Sequence, residues 1–310
     1  MRHIGIVLTS AVVAMHPALA QAPAQTPMSA PAVSHVGIVV PDVDEAVRRF
    51  QDIFGVAIER AQERPLAFRG TPPRDATASR LKVAAFRLPK MGFEIIQPLA
   101  GPSPQRQYLD RYGQGPQYVA FEVKDAQAAL TYLVSKGGTR TTSTEVDMQD
   151  ILGFSAEVRE SNTATAAAAT RVQTQTPLSN RAISHIGIVV RDIDKTGQAF
   201  SEIFGVPASR AQAASLTMPE GRTSSEPMRI RFANFVVGNM RFELVQPVSG
   251  PSPHSVHLAR FGQSLHHIGF TLEVPKAGID YLVSKGGVWR TAPSVDMRTI
   301  LGFQAELLTP

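Results

Sequence analysis

The sequence predicts an α+β protein made of two tandem copies of one domain, each a mixed sheet curled around a cleft. The first observation is an internal repeat, in which SHVGIVVPDVDEAVRRFQDIFGV from Ser34 returns as SHIGIVVRDIDKTGQAFSEIFGV from Ser184. Three further segments return at a similar offset of about 150 residues: KMGFEIIQPLAGPSP, YLVSKGG and VDMQDILGFSAEV. The second observation is that apolar periods of two and of 3.6 residues follow one another in the same order in both copies. One ancestral domain has therefore been duplicated.

The elements of the second copy are justified by their apolar periods. Residues 184–190 alternate as a strand, and Ile193, Phe200 and Phe204 share one face of the helix that follows. The remaining predicted elements are strands over Arg229–Val237 and Arg241–Pro247, a strand from His267, a helix around Lys276–Gly286 and a last strand over Phe303–Leu308. The order of elements is one strand, one helix and three strands, and it occurs twice in each copy. This order predicts paired βαβββ units, with the helices on the outer, apolar face of the sheet.

The domain boundaries follow from the repeat and from composition. The repeat predicts domains at 34–159 and 184–308, and the Thr- and Ala-rich residues 160–182 between them predict a linker. Residues 1–20 have the pattern of a cleavable signal peptide, with Arg2, a short apolar run and a terminal Ala-Leu-Ala. Residues 21–33 then predict a flexible leader. We therefore expect a periplasmic or secreted protein without a membrane span.

Composition limits the chemistry. The chain has no cysteine, which excludes disulfides, thiolate metal ligands and a cysteine nucleophile. Its formal net charge is +5, but no basic stripe with interleaved aromatic residues is present, so we expect no nucleic-acid partner. A small-molecule substrate, possibly anionic, fits this balance. Oligomeric state is not readable from the sequence.

Two strands carry a histidine at the point where they begin. From His267 the side chains Ile268 and Phe270 point to one face, and the imidazole points to the other. His185 and Gly187 repeat this arrangement in the strand that opens the second copy. An imidazole beside a glycine on the face away from the core leaves room for a ligand.

These motifs resemble the vicinal oxygen chelate superfamily, which includes glyoxalase I, methylmalonyl-CoA epimerase, bleomycin-resistance proteins and extradiol dioxygenases. The resemblance rests on the SHVGIVV and SHIGIVV openings, the FEIIQP and FELVQP strands, LHHIGF, and the closing GFxAE. In that family paired βαβββ units form a cleft, and the metal enzymes place one ligand on each of the first, fourth, fifth and eighth strands. Carried over to the second copy, those positions are His185, Glu243, His267 and Glu306.

Two imidazoles and two carboxylates form a nitrogen and oxygen shell suited to Zn, Ni, Co, Mn or Fe. Strand parity agrees, because each of Glu243 and Glu306 lies between two apolar residues that point the other way. The first copy has His35, Glu94 and Glu157 at three of the four positions, but Tyr118 replaces the second histidine. Because a neutral phenol is a poor ligand near pH 7, we expect an inactive or structural first copy, with weak metal binding or a proton-donating Tyr118 as open alternatives.

The resemblance implies a metal-dependent lyase or isomerase of the glyoxalase and epimerase kind, which stabilises an enediolate while a base moves the neighbouring proton. Glu306 or Glu243 would be the base. An extradiol-type ring-cleaving dioxygenase, with iron in the second domain, is one alternative. A metal-free small-molecule binding protein of the bleomycin-resistance kind is the other.

Several other residues carry weaker expectations. Arg229, Arg231 and Arg241 flank the cleft strands and are candidates to meet an anionic substrate, but we expect at least two of them to be solvated arginines at the sheet edge. His266 is expected to face away from His267, by strand alternation. His254 and His257 are expected to be solvated or to belong to a substrate loop. Substrate selection is expected in the variable loops Arg64–Ser79 and Ala213–Pro227.

Overall fold

The computed structural model describes residues 25–66, 79–161, 170–207, 209–216, 226–291 and 293–310. The predicted signal peptide and most of both variable loops lie outside these ranges. The first sheet contains β1 (Ala32–Val39), β2 (Gln62–Pro65), β3 (Arg80–Leu88), β4 (Met91–Ala100), β5 (Gly115–Val123), β6 (Thr139–Arg140), β7 (Glu145–Asp147) and β8 (Ser155–Glu160). The second contains β9 (Ile183–Val189), β10 (Gln212–Ser215), β11 (Arg229–Val237), β12 (Met240–Ser249), β13 (Ser264–Thr271), β14 (Val288–Thr291), β15 (Ser294–Asp296) and β16 (Gln304–Leu308).

The strand order is the same in both eight-stranded sheets. It is β2-β3-β4-β1-β5-β8-β7-β6 in the first and β10-β11-β12-β9-β13-β16-β15-β14 in the second. The first strand of each copy runs parallel to the fourth and antiparallel to the fifth, and the fifth runs parallel to the eighth. This is the predicted pair of βαβββ units, and the α+β fold class is confirmed. The first, fourth, fifth and eighth strands are therefore neighbours at the centre of each sheet.

Seven helices lie among the described residues: α1 (Val43–Phe54), α2 (Pro104–Tyr112), α3 (Ala126–Ser135), α4 (Gln149–Leu152), α5 (Ile193–Phe204), α6 (Pro253–Phe261) and α7 (Pro275–Ser284). The α2 and α6 helices follow the GPSP motif of each copy, where the sequence predicted no helix. That motif is a helix start, because Ser252 accepts a hydrogen bond from the backbone N–H of Ser255 and Pro253 takes the first helical position. None of the helices in the described ranges is both long and apolar enough to cross a membrane.

The two copies share one hydrophobic core. The ring of Phe54, at the end of α1, lies 5.6 Å from that of Phe270 in the second sheet. The symmetric contacts join Phe121 of the first sheet to Phe204 at 5.4 Å and to Phe242 at 6.5 Å. Each first helix is thus covered by the opposite copy, so neither sheet buries its outer face alone.

The described residues just before each copy, 25–33 and 170–182, are packed, which differs from the flexible chain expected there. Met28 and Leu178 are both fully buried. Thr26 donates a hydrogen bond from Oγ1 to the carbonyl of Ile203, and Thr176 does the same to Ile53. TPMSA and TPLSN are therefore part of the repeat, and each covers the end of the other copy's first helix. The last carbonyl groups of a helix have no partner within the helix, and each of these threonine hydroxyls donates a hydrogen bond to one of them.

The repeated YLVSKGG motif also holds the copies together. Tyr281 donates a hydrogen bond to the carbonyl of Asp52 at 2.9 Å, and Lys285 pairs with the Asp52 carboxylate at 2.7 Å. In the other direction Tyr132 donates to the carbonyl of Glu202 at 3.0 Å. The motif is structural, since all of these partners lie at the end of a helix in the other copy.

Because the core is shared, damage at one point should destabilise both copies together. We expect Phe54→Ala to lower the free energy of unfolding by about 3–5 kcal/mol, the usual cost of removing a buried phenylalanine. Thermal unfolding should remain a single transition at lower temperature, as measured by calorimetry and circular dichroism. The control is Val236→Ala, since Val236 is 64% exposed and should change stability by less than about 0.5 kcal/mol. Two separate transitions in the variant would contradict a shared core.

Candidate metal centre

The structure brings the four sequence-predicted side chains of the second copy together. His185 lies on β9, Glu243 on β12, His267 on β13 and Glu306 on β16, the four adjacent central strands. Apolar neighbours such as Ile186, on the same strand, point to the core on the opposite face. Sheet order therefore turns four positions that are distant in sequence into one cluster.

The ligand atoms of this cluster converge. Nε2 of His185 lies 3.0 Å from Nε2 of His267 and 2.9 Å from Oε2 of Glu306. Nε2 of His267 lies 3.2 Å from Oε2 of Glu243 and 3.6 Å from Oε2 of Glu306. When two ligand atoms bind the same ion, each at a distance of about 2.0–2.2 Å, the two atoms lie about 3.0–3.5 Å from each other. The four side chains accordingly fit a single divalent ion of the zinc or iron type.

The electrostatics of the cluster also fit a cation. Burial by itself raises the pKa of Glu306, but the hydrogen bond from His185 and the charge of His267 outweigh it and lower the pKa to about 2. Burial likewise raises the pKa of Glu243, and the hydrogen bond from His267 lowers it below the usual range. Two ionised carboxylates thus face two imidazoles. Within the described part of the chain, no arginine or lysine pairs with either of them.

Glycines make the space for the two imidazoles. A Cβ on Gly187 would lie 2.0 Å from Cε1 of His267, and a Cβ on Gly269 would lie 2.2 Å from Cε1 of His185. These glycines are the cross-strand partners of the histidines. Any side chain at either position would displace a ring, so the His-x-Gly pattern seen in the sequence is a packing requirement.

A β-bulge at His266 corrects the prediction that this side chain faces away from His267. Leu265 pairs with Ile188 and His267 pairs with Gly187, so His266 is the extra residue. A bulge lets two successive side chains lie on the same side of a sheet. Nδ1 of His266 lies 3.0 Å from Nδ1 of His267, within hydrogen-bond distance. The partner at His185 is Ser184, whose Oγ lies 2.9 Å from Nδ1. Such contacts fix the orientation of a metal-binding imidazole.

The expectation that His254 and His257 are solvated is wrong. Both are buried on α6, and each ring lies 4.7 Å from that of His266. Nε2 of His257 is 2.7 Å from Oγ of Ser264. Burial lowers the pKa of His254 to about 4 and that of His257 to about 3, so both are neutral at pH 7. The sequence missed this group because no helix was predicted there.

The three arginines expected at the cleft have different surroundings. Arg241 lies on β12 beside the cluster, with a guanidinium nitrogen 3.2 Å from Nδ1 of His185. Arg231 pairs instead with Asp194 of α5 at 2.9 Å, on the helix face of the sheet. Arg229 is exposed at the start of β11. Strand parity points Arg231 away from the site, so of these three arginines Arg241 is the one that lies beside the cluster.

The first copy assembles a different site at the same place. Glu94 is 2.9 Å from the guanidinium of Arg64 and accepts a hydrogen bond from Tyr118 at 2.7 Å. Arg159 lies 2.9 Å from Glu157 and 3.4 Å from Glu94. Burial raises the pKa of Glu94, but His35, Arg64 and Arg159 together lower it to about 2. Two guanidinium groups thus supply the positive charge that a metal would supply.

The second copy lacks those arginines. The register of the strands places Ala214 where Arg64 stands and Leu308 where Arg159 stands. The second site is also more open, because the side chains of Glu243 and Glu306 are 21% and 19% exposed, against 10% and 11% for Glu94 and Glu157. The two copies have therefore diverged in both charge and access.

A family model described as the glyoxalase, bleomycin resistance protein and dioxygenase superfamily matches residues 34–154 and 184–295. The chain belongs to this superfamily. The match covers both copies, so the resemblance and fold expected from the sequence are confirmed.

Individual relatives are more distant. The 2-epi-5-epi-valiolone epimerase of an Actinomyces species is 32% identical over 113 residues, which are 35% of this chain and 61% of that protein. The YqjC protein of Bacillus subtilis is 27% identical over 88 residues, 28% of this chain and 55% of that protein. Both matches therefore span less than two thirds of the relative. A variant of 4-hydroxymandelate synthase from Streptomyces coelicolor superposes with a TM-score of 0.55 at 17% identity, covering 83% of this chain and 76% of that one. That likeness shows the fold.

Restoring a metal site in the first copy should require removal of its arginines. We expect Tyr118→His alone to leave metal content unchanged, because Arg64 and Arg159 still hold the carboxylates. The triple variant R64A/Y118H/R159L reproduces the second copy and should add about one metal per chain. Metal analysis after dialysis against Zn²⁺ measures both. A second metal in the single variant would show that the arginines do not block the site.

A buried carboxyl in the first copy should make stability depend on pH. Burial, and then the charge of Glu157, raise the pKa of Glu145 to about 8. Between its unfolded value near 4.5 and pH 8, the folded protein holds a proton that the unfolded chain has released, so stability falls as pH rises. We expect Glu145→Gln to melt at a higher temperature than the wild type at pH 8 and to differ less at pH 5. Glu160→Gln, which replaces an exposed glutamate, is the control for loss of one negative charge.

Proposed function

We propose that this protein is a metal-dependent lyase or isomerase, of the glyoxalase and epimerase kind, that acts on a small carbonyl compound through its second domain. One observation carries the proposal. The ligand atoms of His185, Glu243, His267 and Glu306 all lie within 4.8 Å of one another, and each imidazole Nε2 is 2.9–3.8 Å from both carboxylates. No arginine or lysine from the described residues pairs with these carboxylates. The first copy shows that this chain neutralises the same carboxylates with arginine where no such chemistry is expected.

The side chains of the cluster fit proton transfer beside a carbonyl group. A bound divalent ion would supply positive charge for the oxygen anion that develops when a neighbouring C–H bond is broken. Glu243 and Glu306 are ionised and about one fifth exposed, so each is able to take a proton from substrate carbon. The electron pair of that C–H bond forms a C=C bond, and the π pair of the C=O bond moves to the carbonyl oxygen. Return of the proton to the opposite face of the same carbon gives an epimer. In an α-hydroxy ketone, return of the proton to the former carbonyl carbon gives an isomer, with the hydroxyl proton passing to the other oxygen as the new carbonyl group forms.

The comparisons support this class. One relative carries the name of an epimerase and is 32% identical over the matched 113 residues. The family description includes dioxygenases as well. Iron dioxygenases typically use two histidines and one carboxylate, which leaves open positions for oxygen and substrate. Because this cluster has a second carboxylate, the enolising reaction fits it better than ring cleavage.

Loss of one ligand should remove both the metal and the reaction. We expect about one divalent metal per chain in the wild type and almost none in His267→Ala, measured by mass spectrometry of the purified protein. The wild type should exchange deuterium from D2O into the carbon next to the carbonyl of an α-hydroxy ketone, followed by proton NMR. Glu306→Gln or Glu243→Gln should slow this exchange by about 10²–10⁴-fold, according to which residue is the base.

Tyr118→Phe, in the first copy, is the matched control and should keep both the metal and the exchange. No metal in the wild type, even after reconstitution with several divalent ions, would leave a small-molecule binding protein as the better account. Metal without exchange, but with oxygen consumption on a catechol after loading with iron, would favour the dioxygenase instead.

A further inference from the structure

The second copy buries a second group of polar side chains beside the candidate metal centre. His266 is turned toward the cluster by the bulge, and its Nε2 has no hydrogen-bond partner. On α6, Nδ1 of His254 and Nδ1 of His257 also have none. The three rings are in contact, with centroids 4.7 Å apart for each of the two pairs that include His266.

Gln304 adds an amide to this group. It is the in-register neighbour of His267 on β16 and lies two residues before Glu306, so its side chain faces the same side of the sheet. The residue is 1% exposed, and neither its oxygen nor its nitrogen has a partner. Buried polar atoms are nearly always hydrogen-bonded, so this concentration of unpaired atoms indicates a missing ligand or missing water.

Comparison of the two copies ties the group to the metal centre. At the positions of His254, His257, His266 and Gln304 the first copy has Gln105, Tyr108, Gln117 and Ser155. The two copies thus have different residues at all four positions, and they also differ at the ligand position, where the first copy has Tyr118 and the second has His267. The apolar residues on the opposite face of the same strands are retained. The first copy keeps buried polar side chains at three of these positions, and Oε1 of Gln105 and Oε1 of Gln117 also lack a partner. What distinguishes the second copy is therefore the three imidazoles and the Gln304 amide beside the ligand position.

The chemistry of the group distinguishes between ligand classes. A neutral imidazole and an amide each offer one donor and one acceptor, which matches a hydroxyl group that also donates and accepts. A carboxylate or phosphate has acceptors only and would need cations. Of the nearby guanidinium groups in the described residues, Arg298 is paired with Asp296 at 2.7 Å and Arg290 lies 3.5 Å from the same carboxylate. Arg241 contacts the ligand His185 instead, with a guanidinium nitrogen 3.2 Å from its Nδ1, and none of the three is hydrogen-bonded to the imidazoles of α6 or to Gln304.

We propose that His254, His266 and Gln304 form a hydroxyl-binding subsite beside the metal centre, so that the substrate is a carbonyl compound bearing several hydroxyl groups. This inference rests on the proposed function and narrows its substrate class. The carbonyl end would face Glu243 and Glu306, and the hydroxyl groups would satisfy the unpaired imidazole and amide atoms.

The test measures binding separately from reaction. Dihydroxyacetone and pyruvate have similar size, but one carries two hydroxyl groups and the other a carboxylate. Relaxation of their protons by Mn²⁺-loaded protein gives the affinity of each. We expect dihydroxyacetone to bind about tenfold more tightly than pyruvate, since buried polar groups discriminate strongly against a ligand that leaves them unpaired.

Two variants on different elements remove the hydrogen bonds but keep the shape. His254→Phe on α6 and Gln304→Met on β16 should each weaken dihydroxyacetone binding by about fivefold or more, with pyruvate binding and Mn²⁺ content unchanged. The matched control is Gln105→Met, at the first-copy counterpart of His254, which should alter neither affinity. A measured melting temperature confirms that each variant is folded.

The two proposals fail in different ways. Equal or tighter binding of pyruvate, or unchanged binding in both variants, would overturn the subsite and show that water fills these hydrogen bonds. A clear preference for dihydroxyacetone without any deuterium exchange would overturn the enolising reaction alone. If the protein takes up no Mn²⁺, saturation-transfer NMR on the metal-free protein makes the same comparison of ligands and variants.

Discussion

Repulsion between two buried carboxylates is the constraint on which both clefts depend. The fourth and eighth strands of each copy direct a glutamate at the same point, where burial strengthens the interaction between charges. Positive charge beside the two carboxylates reduces this repulsion. In the second copy Glu243 and Glu306 lie beside two imidazoles, and these four side chains together suit a metal ion. In the first copy the guanidinium groups of Arg64 and Arg159 pair with the carboxylates instead. One architecture therefore supports a reactive centre or a closed ion-pair network.

The sheet topology creates this convergence, and the paired copies hold it in place. The central order β12-β9-β13-β16 brings four strands side by side, and glycines opposite the histidines let the rings approach. The outer face of each sheet is covered by a helix and by aromatic residues of the other copy, as in the contact of Phe54 with Phe270. The first copy thus contributes half of a common core. Its retention does not require that it keep a reaction of its own.

The polar environment of the second centre extends well beyond four ligands. The bulge at His266 and the start of α6 at Pro253 bring further imidazoles to His267, and Gln304 adds an amide on the neighbouring strand. Each of these groups has at least one polar atom without a protein partner. The centre therefore places a pair of carboxylates beside imidazole and amide groups that still have donors or acceptors available, which is the basis of the proposed hydroxyl-binding subsite.

The sequence by itself determined the duplication, the α+β class, the order of the elements and the positions of His185, Glu243, His267 and Glu306. The first three follow from the internal repeat and from local periods, since a two-residue alternation fixes which side chains share a face. The four positions follow from the resemblance of the motifs to the superfamily. Only the tertiary structure decided what surrounds them. A bulge shifts the alternation at His266 by one residue, and the pairing of distant strands brings Arg159 to Glu94. Both are long-range effects, because strand register and ion pairs depend on residues far apart in the chain, which no local pattern records.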